Sequence, residues 1–210
     1  DAELNQLSQE MLINVTAFFR DPSVFEYLAQ EVAPGLVRDH ATDRPLRIWI
    51  VGCSSGEEAY SLAMVFQEQI DLSRRDLKLQ IFASDIDADA VAAARDGLYP
   101  TSIEGDVSPE RLGRFFTRED RGYRISPDLR ACIVFSVHDA LADPPFAKLD
   151  FLSCRNLLIY LRPEAQANVV SLFHFALRQG GILLLGGSET VGNDDRRFEM
   201  VSKQERIYRH

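Results

Sequence analysis

Apolar residues along the chain gather in two alternating kinds of run. Short continuous blocks, LRIWIV (46–51), LQIFAS (79–84), LDFLSC (149–154) and ILLLGG (182–187), contain few polar positions. Such blocks, bounded by turn signals, predict strands buried on both faces of a sheet. Between them lie segments with apolar residues at helical spacing: EEAYSLAMVFQEQI (57–70), ADAVAAARDG (88–97) and PEAQANVVSLFHFALRQGG (163–181). Asp87 is placed to cap the second of these and Gly97 to end it; the third is expected to run from Pro163 to Gly180. Upstream, LNQLSQEMLINVTAFF (4–19) has helical spacing, and Asp21–Pro22 forms a cap-plus-N1 start for a further helix. A short helix is expected from Ser108. YRI (123–125) and ACIVFSV (131–137) read as strands separated by an SPDL turn, and ERIYRH (205–210) as a last strand. Strands alternating with helices predict an α/β fold, a doubly wound, mostly parallel sheet. The compact middle predicts a small antiparallel β insertion at about 101–135, and no internal repeat or linker is visible.

Composition narrows the function classes. The 210 residues suit one domain, and 46% hydrophobic residues supply a core. The net charge of −9 argues against a nucleic-acid partner, whose phosphates need clustered Lys and Arg. No apolar run approaches the roughly 20 residues of a membrane span, so membrane insertion is not expected. The polar start DAELNQLSQE is unlike a secretory signal, and without an initiator Met the chain reads as an excised fragment. Cys53, Cys132 and Cys154 are odd in number and lie in or beside apolar runs, which suits buried thiols in a reducing, cytoplasmic compartment. No CxxC occurs and the four His are scattered, so no metal site is expected.

Candidate chemistry begins at VGCSSGEEAYS (51–61), the first strand-to-helix turn. In open parallel sheets ligands bind beyond the carboxyl ends of the strands, at the switch in strand order. This loop has no Lys to meet a triphosphate and lacks GxGxxG spacing. Glu57 and Glu58 would repel a phosphate. They suit a ligand without phosphates and with positive charge, such as S-adenosylmethionine; the competing role is a GxxxG that only permits close packing. Asp85, ending the second strand, is the candidate for ribose hydroxyls, with Asp87 mainly an N-cap. His138 and Asp139 end another strand; His138 alone reads as structural, while an acid or carbonyl there would receive an adenine amino group. Arg155, Asn156 and Tyr160 interrupt LDFLSCRNLLIYL. Buried polar groups are costly unless paired, so this is a site candidate. The competing roles are an ion pair in the frame for Arg155 and a chain turn for Asn156.

The blocks NVTAFFRDPSVFEYL, WIVGCSSGEEAYSLAM, FASDIDADAVAAARDGLYP, LDFLSCRNLLIYL and GGILLLGGSE together resemble the CheR-type chemotaxis receptor glutamate methyltransferases. They are in that family's order and cover nearly the whole chain. The wording is most similar to versions fused to methylesterase and sensory domains. The resemblance implies a class I, Rossmann-like methyltransferase fold over 21–210, with 1–20 the remnant of an N-terminal helical region and linker helix. It implies S-adenosylmethionine as cofactor, S-adenosylhomocysteine as product, and receptor cytoplasmic domains as partners, whose glutamates become methyl esters. Motif by motif, it puts Asn14, Thr16, Arg20, Glu58, Asp85, Asp139, Ala140, Asn156 and Leu157 in the cofactor site. Arg20 and Tyr160 face the methyl-transfer centre.

Three departures accompany it. Little of the family's small helical domain precedes NVTAFFR, so substrate binding is expected to be poor. Asp139–Ala140 stands where NL is frequent. The insertion has the compact REDRGYRI in place of a longer glycine-containing hairpin loop, so tight binding of a receptor tail peptide is not expected. Two other readings compete: a cofactor-binding scaffold module with little transferase activity, and a methyltransferase for a small acid. The joint presence of Arg20, Glu58, Asp85, Asn156 and Tyr160 favours the receptor enzyme.

Overall fold

The computed structural model of the chain describes residues 16–192 and 196–210. The expected opening helix and Asn14 lie outside the described residues. In chain order the elements are α1 (Pro22–Tyr27), a π-helical turn (Leu28–Val32), α2 (Ala33–Asp39), β1 (Leu46–Val51), α3 (Glu57–Ser73), β2 (Leu79–Asp85), α4 (Ala88–Asp96) and β3 (Leu98–Tyr99). A 3-10 turn (Thr101–Gly105), α5 (Pro109–Phe115), β4 (Phe116–Glu119), β5 (Gly122–Ile125), α6 (Pro127–Ala131) and β6 (Ile133–Val137) follow. The chain ends with β7 (Leu149–Cys154), a 3-10 turn (Leu158–Tyr160), α7 (Pro163–Ala176), β8 (Leu177–Leu185), β9 (Glu199–Ser202) and β10 (Ile207–Arg209).

The main sheet has the order β6-β2-β1-β7-β8-β10-β9. β6, β2, β1, β7 and β8 pair in parallel, and β10 runs antiparallel to both β8 and β9. Continuous apolar runs become the central strands because both faces are covered. Ile48 and Ile50 of β1 join the core with α3, while Trp49 and Val51 join the core with α7. Strand order reverses between β1 and β7, which opens a crevice at their carboxyl ends. No described helix is long and apolar enough to cross a membrane. Cys53, Cys132 and Cys154 are free thiols, and burial raises the pKa of all three.

Several expectations need correction. The helix from Pro163 ends at Ala176, not Gly180, because Leu177 already pairs with Leu149 as the first residue of β8. The pairing shifts between Leu149 and Phe151. At Gly181 a Cβ would stand 2.9 Å from Arg178 O and 3.2 Å from Leu149 O, so only glycine permits the approach. The SPDL segment opens α6, with Ser126 Oγ accepting from Leu129 N (3.4 Å). Asp21 sits at φ 62 before Pro22 and makes no capping bond; its carboxylate is held by Arg155. IVFSV is the edge of the main sheet. The small antiparallel sheet is β3-β5-β4, beginning at Leu98. There Gly122 (φ +147) lies under the backbone of Tyr99, where a Cβ would be 1.9 Å from Tyr99 O. Asp87 caps α4 by accepting from Asp89 N and Ala90 N, and Gly97 ends it at φ 63.

Candidate functional site

The loop after β1 is built around the end of β2. Gly52 N and Cys53 N donate to Ser84 O (2.8 and 3.0 Å). Asp85 Oδ2 accepts from Ser54 N (2.8 Å) and Oδ1 from Asp87 N (3.0 Å). A carboxylate offers about four acceptor positions, so Asp85 keeps two for a ligand. Gly56 (φ +96) serves packing: a Cβ would meet Ala94 Cβ at 2.9 Å and Tyr99 Oη at 3.0 Å. Tyr99 Oη donates to Ser55 O (2.7 Å), which ties the loop to β3. Gly52, by contrast, is exposed at the crevice with Leu157 beside it. The packing role therefore falls on Gly56, and Gly52 leaves the loop surface open.

The paired carboxylates at the head of α3 have separate fates. Glu57 takes both its oxygens to Ser55 Oγ (3.0 and 2.8 Å), and burial raises its pKa against that hydrogen bond. Glu58 turns toward β7. Its Oε1 accepts from Ser153 Oγ (2.6 Å) and its Oε2 from Arg155 Nη1 (3.3 Å). Arg155 Nη2 donates to Asp21 Oδ2 (2.6 Å) and to the main-chain O of Arg20 (3.0 Å). The Arg155 side chain is 1% exposed, that of Glu58 17%, and the guanidinium lies over Phe25. The frame role considered for Arg155 is thus the one observed, but the frame it holds is the site itself.

The segment before α1 is pinned over α3. Phe19 N donates to Ser61 Oγ (3.0 Å), and Phe18 packs edge-on against Tyr99 and Phe116. This leaves Thr16 half-buried and Arg20 exposed at the rim. At the end of β6, Asp139 Oδ1 accepts from Leu141 N (2.8 Å) and Asp143 Oδ2 accepts from Asp139 N (2.9 Å). Ala140 is buried. His138 stacks on Phe146, with Nε2 at 3.0 Å from Pro144 O, a structural histidine. Past β7, Asn156 adopts φ 59, Leu157 lies against Gly52, and Tyr160 is 56% exposed.

Three residues escaped the sequence reading. Ile86 is 48% exposed directly after Asp85, and Leu141 is exposed directly after Ala140. Both present apolar surface directly after the ends of β2 and β6. Glu189, buried behind the loop at 155–160, is the third. The signal for Ile86 was an apolar residue between two aspartates at a strand end.

The donor set fits a zwitterionic, phosphate-free cofactor. Of the buried polar atoms at this edge, Ser54 Oγ, Arg155 Nε and His138 Nδ1 have no hydrogen-bond partner among the described residues. An acid for an ammonium, an orphaned guanidinium nitrogen for a carboxylate and a half-used Asp85 for hydroxyls stand around one crevice. A separate cleft of about 560 Å³ opens at the amino edge, lined among others by His40, Arg44, Asp150 and Arg178. It is remote from the strand ends where the loops converge.

Comparison with known proteins agrees with this geometry. The family described as CheR methyltransferase, SAM binding domain, matches residues 14–207. A protein of Rhodobacter capsulatus, called an uncharacterized 104.1 kDa protein, is 44% identical over 206 residues, 98% of this chain and 22% of that one. Chemotaxis protein methyltransferase 1 of Pseudomonas aeruginosa is 37% identical over 196 residues, 91% of this chain and 71% of that one. Chemotaxis protein methyltransferase of Listeria innocua is 33% identical over 190 residues, 90% of this chain and 70% of that one. These matches, over a sheet of this order, show that the chain belongs to the CheR methyltransferase family, as its S-adenosylmethionine-binding domain.

Proposed function

We propose that this chain methylates glutamate side-chain carboxylates in the cytoplasmic domains of methyl-accepting chemotaxis receptors, forming methyl esters. We place it in the cytoplasm, as 21–210 of a transferase unit within a larger fused signalling protein. The observation that carries the reading is the Arg155 bridge: one buried guanidinium ties Glu58 to the main chain of Arg20. The group expected to bind the cofactor and the group expected to bind the acceptor are thereby parts of one rigid unit. The names of the Pseudomonas and Listeria relatives support a role in chemotaxis.

When bound, S-adenosylmethionine supplies a methyl already activated on a sulfonium. Glutamate is a carboxylate at neutral pH, well above its ordinary pKa, so no strong base is required. The protein's work is alignment of acceptor oxygen, methyl carbon and sulfur. In this reading Glu58 accepts from the ammonium and Asp85 from the ribose hydroxyls. Asp139 and Ala140 border the adenine, with Ile86 and Leu141 against its faces; Asn14, Thr16, Asn156 and Leu157 complete the pocket. Arg20 orients the acceptor carboxylate through charge-assisted hydrogen bonds. Tyr160 walls the methyl channel and donates to the acceptor oxygen.

The test is transfer of tritiated methyl from S-adenosylmethionine to receptor membranes, read as base-labile radioactivity. Arg20→Ala is expected to lower turnover by about 10- to 100-fold and S-adenosylhomocysteine affinity by clearly less. Turnover equal to the parent would remove the role of Arg20. Transfer to free acids and to no receptor would overturn the substrate assignment.

A further inference from the structure

The GGSE turn after β8 buries a carboxylate beside the site. Glu189 is 3% exposed, and its hydrogen bonds run to main-chain N–H groups of two segments. Oε2 accepts from Gly186 N (2.7 Å) and from Asn156 N (3.1 Å); Oε1 accepts from Ile159 N (3.3 Å). Its own N–H donates to Gly186 O (2.9 Å), which closes the turn. The approach is close enough to demand glycine at 186: a Cβ there would stand 2.7 Å from Oε2 and 2.9 Å from Asn156 N. Glu189 therefore fastens the end of β8 to the loop that follows β7.

That loop needs fastening. Asn156 sits at φ 59, a left-handed conformation that side-chain-bearing residues rarely adopt and that persists where surroundings over-determine it. Loop N–H groups facing a buried wall also require acceptors. We propose that Glu189 is a positioning residue of the methyl-transfer site. Its carboxylate sets the conformation of the loop at 156–160 and so holds Asn156 and Leu157 toward the cofactor and Tyr160 toward the acceptor. The inference rests on the proposed roles of those three loop residues. Two oxygens are needed because the N–H groups approach from two sides; an amide in this place would turn an NH2 toward one of them.

The test uses calorimetric titration of the whole chain with S-adenosylhomocysteine. Glu189→Gln is expected to weaken binding about tenfold and to lower saturated turnover by about 100-fold. Combining it with Asn156→Ala is expected to give clearly less than the product of the two single effects, because both act through one loop. A merely structural role would lower the thermal midpoint and multiply independently. Gly186→Ala approaches the same clamp from the other side, by crowding Oε2 off Asn156 N, and is expected to reproduce the tenfold loss should Glu189→Gln fail to fold. Parent-like affinity in either folded variant, or fully multiplicative effects in the pair, would overturn the proposal. Failure of the receptor reading is distinct: it would appear in the parent protein as cofactor binding without receptor methylation.

Discussion

The two ends of β7 carry opposite charges buried in similar depth, yet they are built into their surroundings differently. Asp150, near the start of the strand, has both oxygens occupied. Arg44 Nη1 donates to Oδ1 (3.1 Å), with Arg178 nearby at 3.8 Å, and Oδ2 meets Arg47 N (2.8 Å) and His40 Nε2 (3.2 Å). The result staples α2 and β1 to β7, with both Asp150 oxygens engaged. Arg155, just past the other end, is equally buried but incompletely satisfied; its Nε and the nearby Ser54 Oγ lack partners among the described residues. Buried polar groups in stable frames are mostly paired. Arg47 Nε, beside Asp150, also lacks a partner among the described residues, so unmet capacity marks the Arg155 end only together with the loops that converge there.

The comparison can be broken by exchanging the charges one at a time. The largest effect is expected for Arg155→Met. It removes the cation from Glu58 and Asp21 and should cost about 3 kcal/mol of unfolding free energy in urea titration, with cofactor binding lost as well. A stability loss under about 1 kcal/mol would mean the bridge organises nothing. Next comes Asp85→Ala, which strips acceptors from the loop and from the ribose; S-adenosylhomocysteine affinity should fall about 100-fold by calorimetry. Unchanged affinity would displace the ribose assignment.

Asp150→Asn sharpens the contrast from the other side. It should lower stability by about 1–3 kcal/mol and leave S-adenosylhomocysteine affinity within about twofold, since the amino-edge network is closed on itself. A tenfold loss of affinity would show the two edges to be coupled. The smallest effect is expected for Glu57→Gln. Burial raises the folded pKa of Glu57 above its ordinary 4.5, so the folded state binds the proton more tightly than the unfolded state. The parent's stability contribution is then present below pH 4.5 and lost as pH rises through the folded pKa. Glu57→Gln should therefore gain on the parent between pH 4 and 7 in parallel urea titrations; a gain that shrinks with rising pH would contradict the sign.

The residues legible in the sequence were those whose signal is local. The apolar blocks at 46–51, 79–84 and 149–154 became central parallel strands, and Asp87, Gly97 and Ser108 took the caps their types favour. The end of α7 was misread because VVSLFHFALRQGG fits helical spacing as far as Gly180. Pairing of Leu177 with Leu149 decided otherwise, and no local pattern contains that contact. Asp21 was misread for a related reason: its type and its place before Pro22 announce a cap, while Arg155, 134 positions away, claims the carboxylate.

The order of elements, the acidic and lysine-free character of the loop at 52–58 and the strand-end position of Asp85 were determined by the sequence alone. Each depends on residue type and short-range spacing. The partners of Glu57 and Glu58 were decided only in the tertiary structure, as were the bridge made by Arg155 and the burial of Glu189 against two segments. Those outcomes depend on partners brought together by the parallel sheet, whose crossovers join strand ends that lie about a hundred residues apart along the chain, as between Glu58 and Arg155.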